Sequence, residues 1–166
     1  MTKGLERVDP PRSGTERELL AAFLDYQRAT LLRKIDGVGD ADLRRQVLPS
    51  TLTLLGMVKH LAYVERWWFA VCFAGEQLPL PWTKADPDAD FRIDPGETTA
   101  DIVALYKREV ARSRAILSAS SLDDLAKGGD LGTSLRWIAL HMIEETARHN
   151  GHADLIREAI DGATGE

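Results

Sequence analysis

Cysteine is almost absent from this sequence, whose 166 residues include a single one, Cys72. A disulfide bond within the chain is therefore impossible. Cys72 lies in the apolar run from Trp67 to Phe73, and no flanking cation is present that would favour a reactive thiolate. Because a free cysteine packs like a small hydrophobic residue, we expect a buried thiol without a chemical role.

Long apolar runs and a surplus of positive charge are also missing. The stretch from Met1 to Thr15 contains no apolar run, so we expect no signal peptide. No uninterrupted apolar segment elsewhere is long enough to cross a membrane. The net charge of −5 provides no overall basic field that would attract nucleic acid. We therefore expect a cytoplasmic protein that binds neither membranes nor nucleic acid.

Helical periodicity is the main pattern that the sequence does contain. Apolar residues recur at helical spacing in four segments, roughly residues 15–36, 51–74, 98–118 and 134–161. Thr15 and Glu18 have the spacing of a capping box, Thr98 can cap the third segment, and Gly162 follows the fourth. A proline-containing connection, residues 76–97, separates the second and third segments.

This pattern predicts the fold class. It is typical of an all-α protein, a four-helix bundle with a long crossover between helices two and three. We expect one domain over residues 1–166, with about 1–13 and 163–166 flexible.

The inward face of the fourth helix carries polar residues where the apolar pattern calls for leucines. Between Met142 and Ile156, in steps of three and four residues, stand Glu145, His149 and His152. At 3.6 residues per turn these three side chains fall within about 60° of each other. His141 lies one turn before them. Burying such groups without partners is costly, and a metal ion is an efficient partner.

Helix two offers a matching residue, since His60 shares a face with Met57, Val64 and Trp67. Facing helices of bundles build metal sites from inward side chains of this kind. Two imidazoles and one carboxylate suit zinc, with nickel or iron(II) as competitors, and three protein ligands leave an open position. The alternative is a network of hydrogen-bonded core residues without a metal.

The same segments resemble the DinB-like superfamily. The likeness lies in residues 55–69, with the run HLAYVERWW from His60 to Trp68, and in the run HMIEETARHNGHAD from His141 to Asp154. The superfamily carries a metal on one histidine of helix two and on an H-x-x-x-H pair of the last helix. His60 and His149 match the outer positions, whereas the middle position is Glu145. An E-x-x-x-H pair is similar to that of the mycothiol-dependent maleylpyruvate isomerase branch.

This resemblance implies metal-dependent chemistry with a low-molecular-weight thiol, such as mycothiol, acting on an electrophile as an S-transferase or isomerase. The metal ligands would be His60, Glu145 and His149. His152 would be a catalytic or supporting group, or a replacement ligand, and Arg148 would bind a carboxylate of the thiol cofactor unless it forms a surface salt bridge. A hydrolase that activates water and a non-catalytic metal-binding bundle remain alternatives.

Two further features have weaker interpretations. The acidic segment from Asp86 to Asp90 imitates a calcium loop, but Phe91 replaces the required glycine, so we expect a solvated acidic loop. Leu140, Ile143 and Leu155 point away from the polar stripe of helix four, which favours a homodimer.

Overall fold

The computed structural model describes residues 6–129 and 132–165. Its elements, in chain order, are α1 (Glu16–Ile35), the short α2 (Asp40–Leu43), α3 (Leu54–Glu65), a π-helix (Arg66–Phe73), a 3₁₀ turn (Ala89–Phe91), α4 (Thr99–Ala119) and α5 (Leu135–Asp161). The described part of the chain contains isolated β-bridges but no strand, so the predicted all-α class is confirmed. The flexibility expected for the chain ends falls in part on residues 1–5 and 166, which lie outside the described residues.

The helix ends follow local capping rules. Thr15 and Glu18 form the predicted capping box at the start of α1, and Thr98 with Asp101 forms another at the start of α4. The fourth predicted helix ends as expected at Asp161, and Gly162 follows it with a φ of 77°, the left-handed conformation that glycine adopts without steric cost. The second predicted helix starts at Leu54, later than the expected residue 51, and Thr53 caps it.

Two apolar clusters form the core and reveal the direction of each long helix. The first cluster contains the C-terminal ends of α1 and α5 and the N-terminal ends of α3 and α4, and the second cluster contains the opposite ends. α1 and α5 are therefore antiparallel to α3 and α4. The first cluster holds residues from one end of each helix: Leu31, Met57, Ile102 and Ile156. The second cluster holds residues from the other ends, with the π-helix continuing α3: Leu24, Phe73, Leu117 and Ile138. Since α3 and α4 are parallel, the chain must return along the bundle between them, as the predicted crossover does.

The second predicted helix changes type part of the way along, at Arg66. A π-helix has wider turns and displaces the inward face by one residue. An uninterrupted α-helix would continue the inward stripe of Leu61 and Val64 through Trp68 and Val71, but these two residues are half-buried, while Phe69 and Cys72 are fully buried. The prediction of a regular stripe is wrong here, and the prediction of a buried Cys72 is confirmed.

Within residues 6–129 and 132–165, no helix combines the length and hydrophobicity needed to traverse a lipid bilayer.

Candidate functional site

The polar residues of α5 meet His60 of α3 across the bundle. His149 and Glu145 lie one turn apart on α5, with 3.2 Å between Nε2 of His149 and Oε1 of Glu145. The same carboxylate oxygen lies 3.7 Å from Nε2 of His60. One ligand atom from each of the three residues lies within 4.8 Å of the other two. The structure thus brings together the three residues predicted as metal ligands.

The surroundings of these three residues, called the triad below, fit a divalent cation. Nε2 of His60 is buried and has no hydrogen-bond partner among the described residues, although an unpaired buried polar atom is costly. The donor set of two imidazoles and one carboxylate is one that zinc accepts. The side chains of His60, Glu145 and His149 are 13%, 18% and 10% exposed, so the triad lies just below the surface.

Charge coupling within the site shifts two pKa values in opposite directions. Burial of the His60 ring is the largest effect and opposes its charged form. The carboxylates of Asp90 and Glu145 together outweigh burial and raise the pKa of His60 above 6.5. Hydrogen bonding to His149, followed by interaction with His60, holds the pKa of Glu145 far below 4.5. Glu145 is therefore a carboxylate across the physiological range, as a cation ligand must be.

The crossover supplies two residues that the sequence interpretation missed. Oδ2 of Asp90 lies 2.8 Å from Nδ1 of His60, and Phe91 stacks on the His60 ring with centroids 3.9 Å apart and planes 13° apart. The expectation of a solvated acidic loop is wrong for Asp90, which is 2% exposed. The available signal was Phe91, an aromatic residue in an otherwise polar segment, because such a residue tends to dock against the core.

The other predicted residues of α5 lie beside the triad or outside it. The His152 ring is 5.7 Å from that of His149, and its buried Nδ1 has no hydrogen-bond partner in the described chain. Arg148 is 62% exposed and pairs with Glu144, so its predicted contact with a thiol cofactor has no support from its position. His141 stacks on Trp137 at 5.0 Å instead of joining the triad.

Aromatic residues and a polar cleft adjoin the crossover. Trp82 meets Tyr63 and Trp67 edge to face, each at 6.4 Å, and so packs the crossover against α3 and the π-helix. A cleft of about 660 Å³ shares Phe91 with the site and is also lined by polar residues, among them Arg44, Thr51 and Arg92. The crossover therefore forms both a wall of the triad and a wall of a neighbouring cavity.

Comparisons with known proteins agree with the fold and identify a family. The structure is similar to one described as the crystal structure of the conserved protein of locus from Enterococcus faecalis, with a TM-score of 0.65, 14% sequence identity, and coverage of 91% of this chain and 100% of that chain. At that identity the likeness concerns the fold alone. No curated protein matches the chain at a significant level. The family described as mycothiol-S-transferase matches residues 19–162. The match covers α3, α4, α5 and all but the first three residues of α1, and it includes every residue of the triad. The chain accordingly belongs to the mycothiol-S-transferase family, whose fold is DinB-like.

Proposed function

We propose that His60, Glu145 and His149 hold one divalent metal ion and that the protein uses a mycothiol-like thiol as the nucleophile of an S-transferase or isomerase reaction. Zinc is the expected ion, with nickel and iron(II) as competitors. The observation that carries the proposal is the buried Nε2 of His60, which has no hydrogen-bond partner in the described residues and is 3.7 Å from Glu145. Membership of the mycothiol-S-transferase family supports the choice of thiol.

The partial exposure of the triad supports a catalytic role over a structural one. A structural zinc site is closed by four protein ligands, whereas a catalytic site keeps a position open. The described residues supply one group of three ligand atoms here, and each of the three side chains keeps a small exposed fraction. A bound divalent ion would lower the pKa of a thiol and keep its sulfur as a thiolate at neutral pH.

Residues of the chain would tune and complete this chemistry. The negative charge of Glu145 makes the site less positive than three neutral histidines would. It should therefore leave the thiolate a stronger nucleophile, since nucleophilicity falls as the pKa of a thiol falls. His152, with its buried unpaired Nδ1, is proposed to receive the proton that the thiol releases. Arg148 remains a candidate for the carboxylate of the thiol cofactor, although this would require it to leave Glu144.

Cobalt substitution tests the proposal directly. Co²⁺ bound to the wild-type protein should show visible absorption, and titration with mycothiol or bacillithiol should add a sulfur-to-cobalt charge-transfer band. Both signals should disappear in His60→Ala and His149→Ala. His141→Ala is the matched control, because this histidine lies on the same helix but stacks on Trp137.

Two results would contradict the proposal. Equal metal content in the wild type and His149→Ala would contradict the proposed metal site. A cobalt spectrum that no thiol changes, together with hydrolysis of simple esters or amides by the loaded protein, would replace thiol chemistry with water activation.

Glu145→Ala should weaken metal binding more than His152→Ala, and the reverse order would make His152 the third ligand.

A further inference from the structure

Among the described residues, the nitrogen of His60 that faces away from the triad has one polar partner, Asp90. The distance between Nδ1 of His60 and Oδ2 of Asp90 is 2.8 Å, and the Asp90 side chain is 3% exposed. A carboxylate can only accept a hydrogen bond, so Nδ1 must carry the proton. The other nitrogen, Nε2, is 3.7 Å from Glu145, too far for a hydrogen bond. In the neutral ring, Nε2 is thus left with a free lone pair on the side of Glu145 and His149.

We propose that Asp90 is a positioning residue that holds His60 in the tautomer protonated on Nδ1 and so directs the Nε2 lone pair into the triad. Which ring nitrogen of a histidine is free to bind is set by the hydrogen bond that the other nitrogen makes. Only the metal-binding readout of this inference rests on the proposed function. The tautomer itself is a property of the metal-free chain.

Phe91 restricts the orientation of the same ring. It lies nearly parallel to His60, with an angle of 13° between the ring planes, and so covers one face of the imidazole. Asp90 fixes the ring edge and Phe91 fixes the ring plane. Two consecutive residues of the crossover therefore determine both the protonation site and the direction of the His60 side chain.

The crossover can approach His60 closely because two residues of α3, Gly56 and Lys59, accommodate and bind its backbone. A Cβ atom on Gly56 would lie 2.4 Å from the carbonyl oxygen of Phe91, so the absence of a side chain there permits the close approach. Lys59, 2% exposed, donates from Nζ to the carbonyl oxygen of Arg92 at 2.6 Å and to Glu97 at 2.7 Å. These contacts hold the crossover against the turn of α3 that leads to His60.

Nitrogen NMR of the metal-free protein tests the tautomer. Spectra are recorded at a pH above the His60 transition, where the ring is neutral. Wild-type His60 should show a protonated Nδ1 and an unprotonated Nε2. Asp90→Leu removes the acceptor and should shift the proton toward Nε2. Asp90→Asn, whose amide oxygen can still accept, should retain the wild-type tautomer.

Zinc affinity, measured by competition with a chelator, tests the consequence for the triad. Asp90→Leu should bind Zn²⁺ about 10- to 100-fold more weakly than the wild type, as expected for loss of a group that orients a ligand. Asp90→Asn should lie between the two. Asp88→Leu is the matched control, because Asp88 is an exposed residue of the same loop, and it should change neither the tautomer nor the affinity.

Gly56→Ala provides a test in which neither His60 nor Asp90 is substituted. By pushing the Phe91 backbone away it should weaken Zn²⁺ binding, and the loss should not add to that of Asp90→Leu, since both act through the same contact.

Wild-type His60 protonated on Nε2, or an Asp90→Leu protein that keeps both the wild-type tautomer and the wild-type affinity, would overturn the inference. If the wild type binds no divalent ion, the proposed function fails, while the tautomer comparison still decides the role of Asp90.

Discussion

His60 interacts with a carboxylate near each of its ring nitrogens, Asp90 at Nδ1 and Glu145 near Nε2. Without a cation, this arrangement favours the imidazolium form of His60 and the carboxylate form of Glu145. The two shifts reinforce each other, because each charged form is the partner of the other. Below the raised pKa of His60, a divalent ion must therefore displace a proton from this ring.

The stability of the metal-free protein should depend on pH in a defined direction. The raised pKa of His60 contributes stability that is fully present below 6.5 and lost as the pH rises through the folded-state value. The depressed pKa of Glu145 contributes stability that is fully present above 4.5 and lost as the pH falls through its folded-state value. Both contributions coexist between these limits, so the free energy of unfolding in EDTA should decrease as the pH rises above 6.5 and through the raised pKa of His60.

Urea unfolding of the wild type and Glu145→Gln provides the measurement. The variant should show a shallower pH dependence, because its neutral amide no longer favours the imidazolium. Added Zn²⁺ should reverse the trend, since metal binding competes with protons and strengthens as the pH rises. A profile for the metal-free wild type that is flat, or that rises with pH over this range, would contradict the predicted coupling.

At the scale of elements, a buried ion pair joins α1 to the end of α3. Nε and Nη2 of Arg28 each donate to one oxygen of Glu65 at 2.6 Å, and both side chains are 1% exposed. Arg28 occupies the inward stripe of α1 between Leu24 and Leu31, where the sequence interpretation considered only apolar residues. Glu65 is the last residue of α3 before the π-helix, so the pair lies where the helix changes type.

Removal of one partner of this pair should be costly. Arg28→Met should lower the free energy of unfolding by about 3–5 kcal/mol, because it leaves the Glu65 carboxylate buried and unpaired. The double variant Arg28→Met, Glu65→Leu should recover much of that loss. Arg114→Met is the control, since Arg114 is 41% exposed where it pairs with Asp25, and it should cost less than about 1 kcal/mol. A double variant less stable than Arg28→Met would refute the explanation.

At the scale of the whole molecule, the crossover that returns the chain between the parallel helices α3 and α4 also completes the candidate site. The opposite side of α5 has a different character. Leu140 and Leu155 are 53% and 56% exposed, while Ile143 is partly buried against the core. Two of the three residues proposed for the homodimer contact, Leu140 and Leu155, are therefore accessible apolar side chains.

Light scattering of the purified protein tests this assembly. We expect the mass of a dimer for the wild type and of a monomer for the double variant Leu140→Lys, Leu155→Lys, because charge at these positions opposes apolar contact. Leu125→Lys is the control, as Leu125 is 57% exposed outside α5, and it should remain dimeric. A wild-type monomer at high concentration would reject the prediction.

Local interactions explain why the sequence by itself determined the helices and the polar stripe of α5. Capping by Thr15 and Thr98 involves residues three positions apart, and the placing of Glu145 and His149 on one face follows from helix geometry alone. The facing position of His60 followed from its own apolar stripe. These features need no knowledge of how the chain folds back on itself.

Only the tertiary structure decided which parts of the crossover and the core complete these local elements. Asp90 contacts His60 although thirty positions separate them in the sequence. The contact depends on the space left by Gly56 and on the hydrogen bonds of Lys59 to the crossover, and no periodic pattern in the sequence indicates it. Arg28 is buried because Glu65 neutralises it, and the inward face shifts after Glu65 because a π-helix intervenes. Each outcome depends on pairing between segments distant in the chain, where the free energy of a contact depends on a partner that sequence spacing does not reveal.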